Sequence, residues 1–188
     1  MLDTVFLDRD QTLNVDKGYS NGDDEIVFVP GVCELLVKLK ERFSPQMFIV
    51  TNQAGIAKEK FEFYDMLQFN FRLLKKLSDM GLHIIDIAYC PHHLDATNPN
   101  YRYKCDCRKP SPGLITSLVQ KHGLKLSNSL IIGDKHWDLL AGMNAGVSAG
   151  ALLTDDVNEH RSVVRIASEF PNFKILHSAA EIENYYIG

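Results

Sequence analysis

Three short apolar runs in this chain each end on polar side chains with chemistry of their own. Val5-Phe6-Leu7 leads into Asp8-Arg9-Asp10, Met47-Phe48-Ile49-Val50 into Thr51-Asn52-Gln53, and Leu130-Ile131-Ile132 into Gly133-Asp134. Apolar runs without alternation suit strands buried on both faces, and such strands belong to parallel sheets whose crossovers are helices. Ligands of open α/β sheets gather beyond the carboxyl ends of the strands. The runs therefore constrain the site as well as the fold, because all three polar ends fall at one rim.

The intervals between the runs have helical spacing. Val32, Leu35, Leu36, Leu39 and Phe43 predict a helix over 31–42, and Phe63, Leu67, Phe71, Leu74 and Leu77 predict one over 62–80 with those five as its buried face and Gly81 as its stop. Ile84, Ile85, Ile87 and Tyr89 mark a further strand. Ser111 as N-cap and Pro112 at the first helical position open the next helix, with Leu114, Ile115, Leu118 and Val119 inward and Gly123 beyond its end. A short helix over 136–145, a strand over 149–153, a short strand over 173–176 and a terminal helix from Ala179 to Tyr185 complete the pattern. Strands alternating with helices predict an α/β fold: a doubly wound, mainly parallel sheet with helices on both faces. A chain of 188 residues, 45% of them hydrophobic, suits one domain over 1–188, and no interval is long enough for a large cap.

A net charge of −4 argues against binding a nucleic-acid backbone, which takes clustered Lys and Arg, and points to a small-molecule substrate. With no signal core and no apolar run of membrane length, a cytoplasmic monomer is expected. An aspartate at a strand's carboxyl edge can attack phosphorus, and one two positions on can pass a proton to the leaving oxygen. Taken alone, Asp8-x-Asp10 is explained as well by turn chemistry. Residues 90–110 form a long interval with little apolar periodicity, a length that usually carries function or metal. Cys90-Pro91-His92-His93 and Cys105-Asp106-Cys107 offer a closed tetrahedral Zn²⁺ site, with Cys90, His92, Cys105 and Cys107 as ligands. Four protein ligands leave no open position, so this zinc would be structural, pinning the loop that ends at Arg108-Lys109. Buried free cysteines and a surface histidine pair are the alternative, and Cys33 reads as a small core residue.

Asp8-x-Asp10, Thr51-Asn52, Arg108-Lys109-Pro110, and Gly133-Asp134 with Asp138 resemble, in that order, the four motifs of the haloacid dehalogenase (HAD) superfamily, over about residues 4–154. The resemblance implies a Mg²⁺-dependent phosphatase with Asp8 as nucleophile, Asp10 as general acid and base, and Thr51 and Lys109 at the phosphoryl group. It places Mg²⁺ on Asp8, Asp134 and the backbone carbonyl of Asp10, with Asp138 behind them. The zinc loop narrows the likeness to the branch of heptose-bisphosphate and histidinol-phosphate phosphatases, and the long interval from His92 to Cys105 favours a phosphorylated heptose. In that branch Asp16, Tyr19, Asn52, Gln53, Arg108 and Lys135 would touch substrate. Gln11 stands where the family commonly has glycine, Ala54 replaces a serine, and residues 155–188 match nothing in the pattern. The competing class is a zinc-stabilised binding module that has lost the reaction.

Overall fold

The computed structural model describes residues 1–22 and 24–188, with the backbone alone over 165–169. Six strands, β1 (Thr4–Leu7), β2 (Gln46–Asn52), β3 (Ile84–Cys90), β4 (Ser129–Gly133), β5 (Ala149–Leu153) and β6 (Phe173–Leu176), pair in parallel in the order β3-β2-β1-β4-β5-β6. The chain winds outward one way through β2 and β3, then returns to β4 and winds the other way. The crevice where the order reverses lies between β1 and β4, and Leu7 sits between Ile49 and Ile132 in register there. Asp8 and Asp134 follow these two central strands directly.

Helices cover both faces. Val5, Leu7, Met47, Ile49, Leu130 and Ile132 point to a core shared with α1 (Val32–Phe43), α3 (Phe63–Asp79) and α7 (Ala179–Tyr186). Phe6, Phe48, Val50, Ile131 and Leu152 point the other way, to α4 (Gly113–His122), α5 (His136–Ala145) and α6 (Val157–Glu169). This period-2 division is why the central runs show no polar gaps. A short helix, α2 (Ala54–Ala57), follows β2, and Pro99–Tyr101 form one 3₁₀ turn in the long interval. Among the described residues no helix is long and apolar enough to cross a membrane.

Three local expectations are corrected. The inner face of α3 is Met66, Phe69, Asn70, Leu73 and Leu77, and of the five expected residues only Leu77 is fully enclosed. The helix carries two apolar stripes, and the sheet selects the one whose Phe69 ring receives the Arg9 guanidinium at 4.7 Å. Phe71 is left 68% exposed. At the start of α4, Pro112 rather than Ser111 holds the N-cap position, without a side-chain cap bond. The tail gains α6, which its polar composition had hidden, alongside the expected β6 and terminal helix.

The two faces of α3 should separate in unfolding experiments. Phe69→Ala is expected to lower stability by about 3–5 kcal/mol, whereas Phe71→Ser should change it by no more than about 0.5 kcal/mol. Urea midpoints check both, and equal losses would contradict the observed orientation.

Candidate active site

Asp8 leaves the end of β1 with its amide donating to Ile132 O at 2.9 Å, which fixes the start of the first loop beside β4. Its side chain meets Lys109, which arrives from the opposite end of the long 90–110 interval. The Lys109 ammonium lies 2.6 Å from Asp8 Oδ1, 2.6 Å from Asp138 Oδ1 and 2.8 Å from Val50 O. The ammonium donates hydrogen bonds to Asp8 Oδ1 and Val50 O, and Asp138 Oδ1 completes the set as an ion-pair partner. Asn52 clamps the same residue from behind, donating to Lys109 O at 3.2 Å and accepting from its amide at 3.1 Å.

Oxygens of Asp8, Asp134 and Asp138, all three buried, lie within 4.8 Å of one another. Burial pushes the Asp8 carboxyl well up, opposed by Lys109 and reinforced by Asp138 and Asp134. Burial, then Asp138, pushes Asp134 up to about 7 against the pull of Lys135 and Lys109. Lys109 itself is held above its ordinary value, because Asp138 and Asp8 outweigh the cost of burying it. Lys109 pairs with Asp8 and Asp138 while Lys135 leans on Asp134, so two ammonium groups face three carboxylates, a donor set short of positive charge. Gly133 is required here, since a Cβ on it would lie 2.3 Å from the Asp138 Cβ.

The side chain of Asp10 stands outside that cluster. Arg9, only 1% exposed, grips it in a fork, with Nε and Nη2 donating to Oδ1 and Oδ2 at 2.9 Å each. Nη1 donates to Asn70 Oδ1 at 2.9 Å, and Nη2 also reaches Gln53 Oε1 at 3.0 Å and Ser20 O at 3.3 Å. Gln53 Nε2 donates to both Asp10 Oδ2 and Thr51 Oγ1 at 2.8 Å, so the Thr51 hydroxyl accepts inward and keeps its proton to donate. Among the described residues no hydrogen bond engages the Asp10 carbonyl, which stays available as a ligand.

The expected substrate contacts divide accordingly. Gln53 is buried with its amide bonded to Asp10, Thr51 and Arg9, and the Asn52 amide bonds the Lys109 backbone. Asp16 is a loop former: its carboxylate accepts from Ser20 N, Ser20 Oγ and Tyr19 N. Tyr19 is exposed beside it. Gln11 has φ +62°, the region that favours the glycine expected there, and its amide offsets the strain by pairing with both Asp16 O and Asp16 N at 3.2 and 3.1 Å. Arg108 donates to His92 O at 3.2 Å. Lys135 Nζ lies 3.4 Å from Asp134 Oδ2 and 3.8 Å from Glu159 Oε1.

Cys90, His92, Cys105 and Cys107 converge as the spacing anticipated. Their nearest approaches include 3.1 Å from Cys107 Sγ to Cys90 Sγ, 3.2 Å to Cys105 Sγ and 3.2 Å to His92 Nδ1. Burial pushes the Cys90 thiol up, while hydrogen bonds from its neighbours draw Cys105 down despite its own burial. The Tyr103 hydroxyl meets His92 Nε2 and fixes the imidazole from outside. His93 faces away from the cluster, bonding Asp95 N at 3.0 Å.

Arg9, Asn70 and Glu159 went unforeseen. An arginine locked between two aspartates at the end of an apolar run was a usable signal for the first. Asn70 and Glu159 reach the site only through tertiary packing, Glu159 accepting from His136 N and meeting His136 Nδ1, each at 2.8 Å.

The HAD-hydrolase-like family model matches residues 106–181, reaching most of the tail. The D-glycero-beta-D-manno-heptose-1,7-bisphosphate 7-phosphatase of Photorhabdus laumondii is 39% identical over 149 residues, 79% of each chain. The Pasteurella multocida protein of that name is 36% identical over 170 residues, 87% of this chain and 91% of the relative. Among solved structures, a putative HAD-like phosphatase of Mesorhizobium loti superposes with TM-score 0.76 at 30% identity, covering 89% of this chain and 87% of that one. The D,D-heptose 1,7-bisphosphate phosphatase of B. bronchiseptica, crystallised with magnesium and phosphate, gives TM-score 0.78 at 24% identity over 98% and 97% of the two chains.

Removing the ammonium that lies between Asp8 and Asp138 should expose the carboxylates' mutual repulsion. Lys109→Met is expected to cost about 3–5 kcal/mol at pH 7. The sign of the pH dependence follows from Asp134, which in the folded, metal-free chain holds a proton up to about pH 7 that the unfolded chain releases near the ordinary value of about 4. This contribution to stability is complete below about pH 4 and falls as pH rises to about 7. Urea unfolding without divalent metal should therefore show a larger Lys109→Met penalty at pH 7 than at pH 5, and the reverse order would refute the charge assignment.

Proposed function

The chain belongs to the HAD-like phosphatases, in one family with its D-glycero-beta-D-manno-heptose-1,7-bisphosphate 7-phosphatase relatives, and on that premise we propose that it removes the C7 phosphate of a heptose 1,7-bisphosphate in the synthesis of surface-glycan or lipopolysaccharide precursors. The observation that carries the reading is the meeting of Asp8, Asp134 and Asp138 around Lys109 at the sheet's carboxyl rim, beside Thr51. It would do so as a monomeric single domain in the cytoplasm.

A buried carboxylate does not readily attack an anionic ester. The donor set fits a divalent ion, with Asp8 and Asp134 offering carboxylate oxygens, the Asp10 carbonyl unengaged, and Asp138 committed to Lys109. Bound Mg²⁺ would neutralise charge between nucleophile and ester, and it needs only one or two carboxylates to be held. Asp8, held through Oδ1 by Lys109, attacks phosphorus as the bond to the leaving oxygen breaks, and Asp10 gives that oxygen its proton. Asp10 then takes a proton from the water that opens the aspartyl phosphate, releasing phosphate and restoring Asp8. The Thr51 hydroxyl donates to a phosphoryl oxygen. Arg9 and Gln53 act through Asp10 and Thr51, orienting both.

Zn²⁺ fits the Cys90, His92, Cys105 and Cys107 cluster as a closed, structural site. Its work would be to stiffen the loop that delivers Arg108 to the mouth of the site and Lys109 to its floor. Arg108, Lys135 and Tyr19 would meet the sugar, with Asp16 holding the loop that carries Tyr19.

With Mg²⁺ present, the parent protein should release phosphate from heptose 1,7-bisphosphate faster than from histidinol phosphate. Equal or inverted rates would reassign the substrate to the histidinol enzyme's class. Asp8→Asn should abolish release with an unchanged circular dichroism spectrum, and a rate near the parent's would leave only the binding-module reading. Purified protein should contain about one zinc per chain. Cys105→Ser should lose that metal and melt earlier; a variant that keeps both would refute the zinc assignment.

A further inference from the structure

Glu159 is a buried carboxylate outside the four motifs. It projects from the first turn of α6, and its Oε2 accepts from the His136 amide and meets His136 Nδ1, each at 2.8 Å. Oε1 lies 3.8 Å from the Lys135 ammonium, whose nearer partner is Asp134 Oδ2 at 3.4 Å. A single residue of the tail thus reaches the two residues that follow Asp134, with one oxygen turned to each. The contact with His136 does not need a charge, because a neutral amide oxygen would accept from that backbone N–H as well. Burying an ionised group is costly unless it is paired, and the permanent cation beside this one is Lys135.

The two carboxylates beside Lys135 differ in what a metal would do to them. Asp134 is one of the groups that fit Mg²⁺, and with that carboxylate given over to a divalent ion the ammonium loses its nearer partner and gains a like-charged neighbour. A partly exposed lysine on a flexible four-carbon stem would then be free to turn to solvent. Glu159 lies outside the group of carboxylates that could share the ion, and the His136 amide fixes it in place. Among the described residues the Lys135 ammonium pairs with Asp134 and Glu159 and with no other carboxylate. With Asp134 occupied, Glu159 is the partner that remains.

We propose that Glu159 is a positioning residue that holds the Lys135 ammonium at the rim once Asp134 has taken its metal, so that Lys135 is in place for the phosphorylated sugar. The proposal rests on the phosphatase reading above and deepens it, giving the first turn of α6 a part in substrate binding. One oxygen of Glu159 anchors it to His136, and the other supplies the charge that Lys135 needs.

Glu159→Gln keeps an oxygen for the His136 amide and removes the charge. With Mg²⁺ and heptose 1,7-bisphosphate it should raise KM about tenfold and leave kcat within about twofold of the parent. Binding without turnover is the second readout: in Asp8→Asn protein, calorimetric titration should show the same sugar bisphosphate held about tenfold more weakly after Glu159→Gln. Lys135→Met should raise KM by a similar factor, and adding Glu159→Gln to it should raise KM no further, because the residue it acts through is gone. Glu159→Asp, which shortens the reach of the charge, carries the same comparison if the glutamine variant does not fold. A loss that multiplies with that of Lys135→Met, as a merely structural role would give, overturns the proposal, and so does an unchanged KM. In both cases the parent is active and only the comparison fails. A parent protein that releases phosphate from no ester with Mg²⁺ present refutes the phosphatase reading instead, and this role with it.

Discussion

A single ammonium group holds this site together. Lys109 is buried among Asp8, Asp138 and the Val50 carbonyl, and each partner belongs to a different part of the chain: the end of β1, the first turn of α5 and the end of β2. In a low-dielectric interior such a pair strongly penalises the loss of either member, while the intact pair repays only part of the cost of burying both. The arrangement is therefore a poor way to stabilise a fold and a good way to fix a carboxylate's position and charge. That three carboxylates gather with only Lys109 and, against Asp134, Lys135 leaves the cluster short of positive charge, and burial holds Asp8 and Asp134 above the ordinary carboxylate range.

The strands were legible because burial on both faces strips their central runs of polar residues, and the helices of the first half because their apolar stripes face one core. The reading failed where two patterns compete. On α3 both Phe63/Leu67/Phe71 and Met66/Phe69/Leu73 have helical spacing, and only the sheet beneath decides which is inward. Helix α6 was missed for the opposite reason: Glu159, His160 and Arg161 crowd its first turns, and among the described side chains the apolar contact it makes with the second core is that of Val163.

At the site, carboxylates and ligands with fixed local spacing were readable, whereas roles set by tertiary pairing were not. Asp8, Asp134 and the four zinc-type ligands converge as their positions suggested. Gln53 and Asn52 look like free amides in sequence, yet each finds its partners elsewhere, on Asp10 and Thr51 in one case and on the Lys109 backbone in the other. Arg9 shows the same limit more sharply. Its neighbours in sequence explain the fork onto Asp10, but its burial depends on Asn70 and Phe69 from α3, and nothing in residues 4–14 reveals them.

The thiol cluster and the carboxylate cluster are tied by one residue of chain. Cys107 belongs to the first, Lys109 to the second, and Arg108 between them bonds back to His92 O. The Gly113 amide donates to Asp106 O at 2.9 Å, and a Cβ at Gly113 would approach that oxygen to 2.2 Å, so α4 begins in contact with the thiol loop. Displacing that loop would move Lys109 with it, because the clamp from Asn52 holds the residue's backbone but not the segment that precedes it. A long interval with little helical or strand pattern is thus kept from wandering at both ends. The accuracy with which Lys109 meets two carboxylates is supplied by packing outside the active site as much as by the charges within it.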